Sequence, residues 1–189
     1  AFIPETRVQI YFTESDQYFK PVPELLYKSK NGRPFKDNDL KFAFFSKVAL
    51  ESIKRLFWQP DIIICNDWQM SFLPSLLKKE YKSEEFYENI KTVLVLHSIN
   101  DYRYVSGASY DYIGLDSIAS KTDNLEEAIK NSDYLIVVNS DNNDMKKEFN
   151  KNKNLVKASR KTKTMYLDAS SSQSWSEIAK KVENILRKV

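Results

Sequence analysis

Two short runs, Ile62-Ile63-Ile64 and Val93-Leu94-Val95-Leu96, are apolar at every position rather than at every second one. Runs of this kind predict strands buried on both faces, as in a parallel sheet. They place strands over Asp61 to Cys65 and Thr92 to His97, and Tyr134 to Val138 repeats the pattern. Thr164 to Leu167 predicts a further strand. Alternation of Val8, Ile10 and Phe12 predicts a first one over Arg7 to Thr13.

Helical periods lie between these runs. Phe42, Phe45, Ala49, Ile53 and Leu56 form one apolar stripe, widened by Phe44 and Val48, on a helix capped by Asp37 or Asn38 and ending near Trp58. A second helix is predicted from Gln69 to Tyr81 despite Pro74. Asp123 with Glu126 makes a capping-box-like start to a short helix ending near Asn131. Ser140 is the expected cap of the helix after the Tyr134 strand. Ser174 with Glu177 caps a last helix whose apolar side is Trp175, Ile178, Val182, Ile185 and Val189. Pro21, Pro23, Asn31-Gly32 and Pro34 mark an irregular loop. Ser98 to Lys121 is expected to be another, carrying Tyr102, Tyr104, Tyr110 and Tyr112. Strands alternating with helices imply crossover units, hence an α/β fold: one Rossmann-like domain, a parallel sheet with helices on both faces.

Composition narrows the chemistry. With 42% hydrophobic and 29% charged residues in 189, the chain has enough apolar material for a full core without staples. Its one cysteine, Cys65, excludes an internal disulfide and reads as a buried strand end, which fits a reducing cytoplasm. One histidine and one cysteine give no basis for a transition-metal site. No apolar run approaches the roughly 20 residues needed to span a membrane, and no signal-peptide pattern opens the chain. The net charge of +3 is small but uneven. Met145 to Lys163 holds eight Lys or Arg against Glu148 alone, in an Asn-rich stretch expected to be loop-like. Phe149 is the one aromatic residue there, so the several rings that would stack on bases are missing. A solvated surface is therefore the reading preferred to a nucleic-acid site.

Glycine is scarce: Gly32, Gly107 and Gly114 are all there are. A loop cradling a diphosphate needs glycines so that backbone N–H groups can approach the phosphates, and neither GxGxxG nor GxxxxGK occurs. No cofactor is expected.

Ligands of open α/β sheets bind outside the carboxyl ends of the strands. Two such ends stand out: Asn66-Asp67-Trp68-Gln69, and His97-Ser98, which contains the lone histidine. Alternative readings stay open for each. Asp67 serves a site or caps the helix after it. His97 faces a ligand or is a polar strand end satisfied by backbone. Trp68 packs in the core or stacks on a sugar, and the loop tyrosines are weaker candidates for stacking on glucan rings.

Taken together, these residues carry a family resemblance. Tyr18-Phe19-Lys20-Pro21, then Asp37-Asn38-Asp39-Leu40-Lys41-Phe42-Ala43-Phe44-Phe45-Ser46-Lys47-Val48-Ala49-Leu50-Glu51, then Pro60-Asp61-Ile62-Ile63-Ile64-Cys65-Asn66-Asp67-Trp68-Gln69 follow one another. Lys91-Thr92-Val93-Leu94-Val95-Leu96-His97 and Ser132-Asp133-Tyr134-Leu135-Ile136-Val137-Val138-Asn139-Ser140 complete the series. In this order they resemble the amino-terminal catalytic half of bacterial glycogen synthases and plant starch synthases. Those are retaining GT-B glycosyltransferases that move glucose from ADP-glucose onto an α-1,4-glucan. The resemblance covers about Arg7 to Ser140 and implies Asp67 and His97 as catalytic residues. His97 would hydrogen-bond the donor sugar, and Asp67 would stand beside donor and acceptor. Asn66, Trp68, Gln69 and Ser98 would line the substrate site.

Several departures qualify it. Ile64 stands where the family carries His, and Ser98-Ile99-Asn100-Asp101-Tyr102-Arg103 replaces the family's Asn-Ile-Ala-Tyr-Gln-Gly. The family's Lys-x-Gly-Gly-Leu loop and its second domain, which meet the donor diphosphate, have no counterpart in these residues. The expectation is a compact synthase-like unit lacking its first strands and the second GT-B domain, and inactive as an isolated chain. The alternative is a non-catalytic module that binds glucan or pairs with a full-length synthase or with its own copy. A nucleic-acid binder using the basic stretch is the remaining, weaker option.

Overall fold

The computed structural model describes residues 1–20, 26–116, 121–170 and 174–189. Among these residues the strands are β1 (Ile62–Asn66), β2 (Lys91–Leu96), β3 (Tyr104–Val105), β4 (Thr122–Asp123), β5 (Tyr134–Asn139) and β6 (Lys163–Asp168). Four of them, in the order β1-β2-β5-β6, make a sheet whose neighbours are all parallel. The short β3 and β4 pair with each other, antiparallel, outside it. The helices are α1 (Asp16–Phe19), α2 (Asn38–Arg55), α3 (Phe72–Lys79), α4 (Gly107–Ile113), α5 (Asn124–Asn131), α6 (Met145–Lys151), α7 (Lys153–Ala158) and α8 (Trp175–Leu186).

The strand side chains divide between two cores, as period-2 geometry requires. Leu94, Leu96, Leu135 and Val137 enter the larger one beside Phe42 and Leu50 of α2, Phe72 and Leu76 of α3, and Leu125 and Ile129 of α5. Val93, Ile136, Val138 and Leu167 face the other side, where α8 lays Ile178, Val182, Ile185 and Leu186 over them. Helices therefore cover both faces, as the uninterrupted apolar runs predict. Burying a Leu or Phe of this kind contributes about 1.5–3 kcal/mol. Cys65 is fully buried in the larger core, and burial pushes its thiol up to about 12.

Local chemistry explains the boundaries. Pro74 is third in α3, inside the first turn, where a missing N–H costs no helical hydrogen bond. A 3-10 turn at Trp68–Met70 precedes it, so the helix predicted from Gln69 is split in two. The Asp123 carboxylate accepts from the N–H groups of Leu125 and Glu126 and starts α5 as expected. Ser174 and Glu177 form a complete capping box on α8.

Several expectations need correction. Residues 7–13 form no strand of the sheet. They fold back on the start of the chain, with Ile10 and Ala1 exchanging N–H···O bonds and Phe2 bridging Gln9. Val8 and Phe12 are left exposed. Their alternation is real, but the partner is local, and β1 keeps a free edge among the described residues. Ser140 closes a tight turn with Asn143, and Asp144 caps α6 instead, accepting from the Lys147 N–H at 3.1 Å. The predicted loop from Ser98 contains α4, and its Tyr110 is buried. The basic stretch is helical, not loop-like. Trp175, the first residue of α8 and expected on its apolar side, is 83% exposed and takes no part in the core that the later turns of the helix cover. Pro21, Pro23 and positions 117–120 of the predicted loops lie outside the described residues.

Candidate functional site

Parallel pairing with Asn66 opposite Val95 brings the carboxyl ends of β1 and β2 side by side. Asp67 leaves β1 with φ 58° and ψ −170°. Glycine tolerates that region, whereas a side chain there costs about 1–3 kcal/mol of strain. Hydrogen bonds hold the residue in place. Its N–H donates to the Val95 carbonyl at 2.8 Å. Its carboxylate accepts from the Ser98 hydroxyl at 2.7 Å and from the Ser98 N–H at 3.2 Å. It makes no capping bond to the turn that follows. Of the two readings of Asp67, the cap is set aside.

The Asp67–Ser98 pair joins the two segments singled out in the sequence into one polar edge. Ser98 is half-buried, and the neighbouring His97 presents an exposed side chain. The His97 carbonyl accepts from Asn143 Nδ2 at 3.4 Å, which brings the turn after β5 to the same edge. Asn66 is exposed and Gln69 half-buried. Gln69 borders an apolar cavity of about 320 Å³ beside Phe42, Phe45 and Met70. Trp68 is different: it is 5% exposed and packed edge-on against Phe42 at 5.0 Å and Tyr27 at 5.6 Å, with Tyr102 tilted at 5.3 Å. Its indole serves packing, so it positions the turn rather than offering a face for sugar stacking.

A supporting layer was not legible beforehand. Asn100 donates from Nδ2 to Ser98 Oγ at 3.2 Å, and its Oδ1 accepts from the Tyr102 N–H at 3.0 Å. Arg103, 8% exposed, donates to the Asn100 carbonyl at 3.2 Å and to Asp123 at 2.8 Å. Burial alone would lower the pKa of Arg103, but the hydrogen bond and charge of Asp123 outweigh it, and the guanidinium stays ionised. The partners lie twenty positions apart, and neither falls on a periodic pattern. One signal was available: this segment is where the chain departs from its resemblance.

Chemically, the edge offers a carboxylate, an imidazole, amides and a hydroxyl, groups that recognise a polyol through paired donors and acceptors. No group of three His, Cys, Asp or Glu among the described residues is arranged to hold a metal ion. None of the helices among the described residues is long and apolar enough to cross a membrane.

A parallel sheet covered on both faces, with polar groups gathered at strand carboxyl ends, defines a Rossmann-like unit, a fold whose ligands bind outside those strand ends. The family model of the starch synthase catalytic domain matches residues 1–171, and the chain belongs to that glycosyltransferase family. Glycogen synthase of Chlorobium phaeobacteroides is 42% identical over 97 residues, 51% of this chain and 20% of that protein. Glycogen synthase of Clostridium perfringens is 49% identical over 63 residues, 33% of this chain and 13% of that protein. The matches thus span about one fifth or less of these relatives. The catalytic domain of starch synthase IV from Arabidopsis thaliana, bound to ADP and acarbose, matches with a TM-score of 0.55 at 22% identity. That match covers 70% of this chain and 30% of the other. The likeness establishes the fold: the α/β half of a GT-B glycosyltransferase.

Proposed function

We propose that this chain forms the sugar-facing wall of a glycogen- or starch-synthase-type cleft, an amino-terminal half-unit taking glucose from ADP-glucose and presenting it to an α-1,4-glucan. The observation that carries the reading is Asp67, held in a strained backbone conformation by Ser98 at the carboxyl edge of the sheet. Strain maintained by cross-strand bonds is characteristic of sites whose geometry matters. In this reading His97 hydrogen-bonds the donor sugar, Asp67 stands between donor and acceptor, and Asn66, Gln69 and Ser98 complete the polar lining. The starch synthase IV neighbour holds ADP and acarbose, ligands of the kinds proposed.

Transfer also requires fixed positive charge at the departing diphosphate. Within these 189 residues there is no glycine-rich phosphate loop, and Arg103 is engaged by Asp123. The 189 residues by themselves are therefore expected to bind sugar ligands without turning them over, the opposing wall coming from groups outside these residues. Calorimetry with ADP-glucose and maltooligosaccharide, on the wild-type chain and on His97→Ala, tests the binding. Labelled ADP-glucose with glycogen tests turnover. Binding weakened by His97→Ala, with no label incorporated, is the expected outcome. No binding of either ligand, or robust incorporation, would refute the corresponding part.

A further inference from the structure

At the end of the sheet opposite β1, β6 pairs with β5 on one side and with no strand on the other among the described residues. The Ala169 N–H donates to the Asn139 carbonyl at 3.0 Å. In the alternation of a parallel ladder, Met165 and Leu167 therefore bond to β5 as well. Thr164, Tyr166 and Asp168 turn their N–H and C=O groups outward. Such a row is a template for one more strand.

The two faces beside this edge differ. Met165 and Leu167 point toward α8, where a cavity of about 460 Å³ is lined by them and by Ile185, with Lys181 and Lys188 alongside. Tyr166 therefore points to the opposite face. There Lys146 of α6 lies over its ring at 5.0 Å from the centroid, and its hydroxyl donates to Asn150 Oδ1 at 3.3 Å. Lys147 and Lys151 belong to the same helix, and all three lysines are exposed. No ion pair among the described residues engages any of the three. Of the acids nearby, Asp144 is turned to the Lys147 N–H and Asp168 to the Ser170 N–H.

We propose that the β6 edge docks an extended acidic segment of a partner protein, which adds to the sheet as a strand beside β6. Main-chain hydrogen bonds to Thr164, Tyr166 and Asp168 hold such a segment, and its side chains alternate between the two faces. Acidic ones meet Lys146, Lys147 and Lys151, and apolar ones enter the cavity beside Ile185. The lysines repel a second copy of this edge and attract an acidic strand for the same reason. A nucleic acid fits less well. Its phosphate oxygens accept hydrogen bonds and donate none, which leaves the outward carbonyls unmet, and Phe149, the one ring of the basic stretch, is buried. The inference is independent of the sugar reading.

Fluorescence anisotropy tests it, with the 189-residue chain titrated into a labelled peptide of alternating glutamate and valine as long as β6. The comparisons are a peptide of the same composition with its glutamates and valines in two blocks, and a thymidine oligonucleotide. The variants are Lys146→Glu with Lys147→Glu, and Tyr166→Pro, which removes an outward N–H without touching the bonds to β5. Each is checked for an unchanged circular-dichroism spectrum. Saturable binding of the alternating peptide is expected, about tenfold weaker in either variant. The block peptide should bind more weakly than the alternating one. The paired lysine variant changes only exposed side chains, so it decides the matter even if Tyr166→Pro fails to fold. No saturable binding, equal binding of the block peptide, or an affinity indifferent to either folded variant overturns the site. An oligonucleotide that binds more tightly and displaces the peptide also overturns it, and assigns the surface to nucleic acid.

Discussion

Ser98 gives both its backbone N–H and its hydroxyl to the carboxylate of Asp67, at 3.2 Å and 2.7 Å, across thirty-one positions of sequence. One residue at the end of β2 thereby fixes the residue that leaves β1 at φ 58°. The functional reading depends on this link, because it holds a charged group at the sheet edge in a conformation that the backbone alone would not choose.

The link and the strain can be measured apart. Ser98→Ala removes a hydrogen bond to a half-buried carboxylate, and urea unfolding should show a loss of about 1.5 kcal/mol. Asp67→Ala and Asp67→Gly both delete the carboxylate, but only glycine relieves the φ/ψ cost. The glycine variant should be more stable than the alanine variant by about 1–3 kcal/mol. Equal stabilities would mean that the strain is not stored there.

The strand framework was readable because β1, β2 and β5 are apolar on both faces, a pattern that few other elements produce. The caps of α5 and α8 were readable for a similar reason: Asp123 and Ser174 act on N–H groups two or three residues away. Contacts that depend on distant partners were not readable. The alternation over Val8, Ile10 and Phe12 gave no sign that its partner would be Ala1 and Phe2 rather than the sheet. For Asp67, position at a strand end pointed to a site, yet sequence left the helix cap open. Only the third dimension, in which the carboxylate turns to Ser98, removes it. Asn100 and the Arg103–Asp123 pair were out of reach for the same reason.

Part of the acid sensitivity should trace to the start of β5. Glu127 adds a share, because against the effect of burial Lys130 and Lys79 also hold its carboxyl below its ordinary value. Burial alone would raise the pKa of Asp133, but the Thr92 N–H and the Lys78 ammonium outweigh it and hold the carboxyl below its ordinary 3.8. A depressed pKa contributes stability that is complete above the unfolded value and is lost as pH falls through the folded one. Unfolding free energy should therefore drop below about pH 4, and Asp133→Asn should flatten that limb. An acid limb as steep in the variant as in the wild type would assign the effect elsewhere.

A buried polar chain offers a stability test outside the site. Tyr110 donates to Asn124 Oδ1 at 2.7 Å, and Asn124 Nδ2 donates to Ser71 Oγ at 2.6 Å, tying α4, α5 and the start of α3 together inside the larger core. Asn124→Ala leaves both hydroxyls without that partner and should cost about 2–3 kcal/mol in denaturant unfolding. Sugar affinity in the folded variant is expected to change little, since Asn124 does not touch the Asp67 edge.

The central claim is that a sugar ligand docks on the edge held by Asp67 and Ser98. Amide chemical shifts recorded while the 15N-labelled chain is titrated with ADP-glucose report on it directly. The predicted result is saturable movement centred on residues 66–69 and 97–98, lost in Asp67→Ala. Saturable shifts confined to the basic helices α6 and α7, or none at the edge at any concentration, would contradict it.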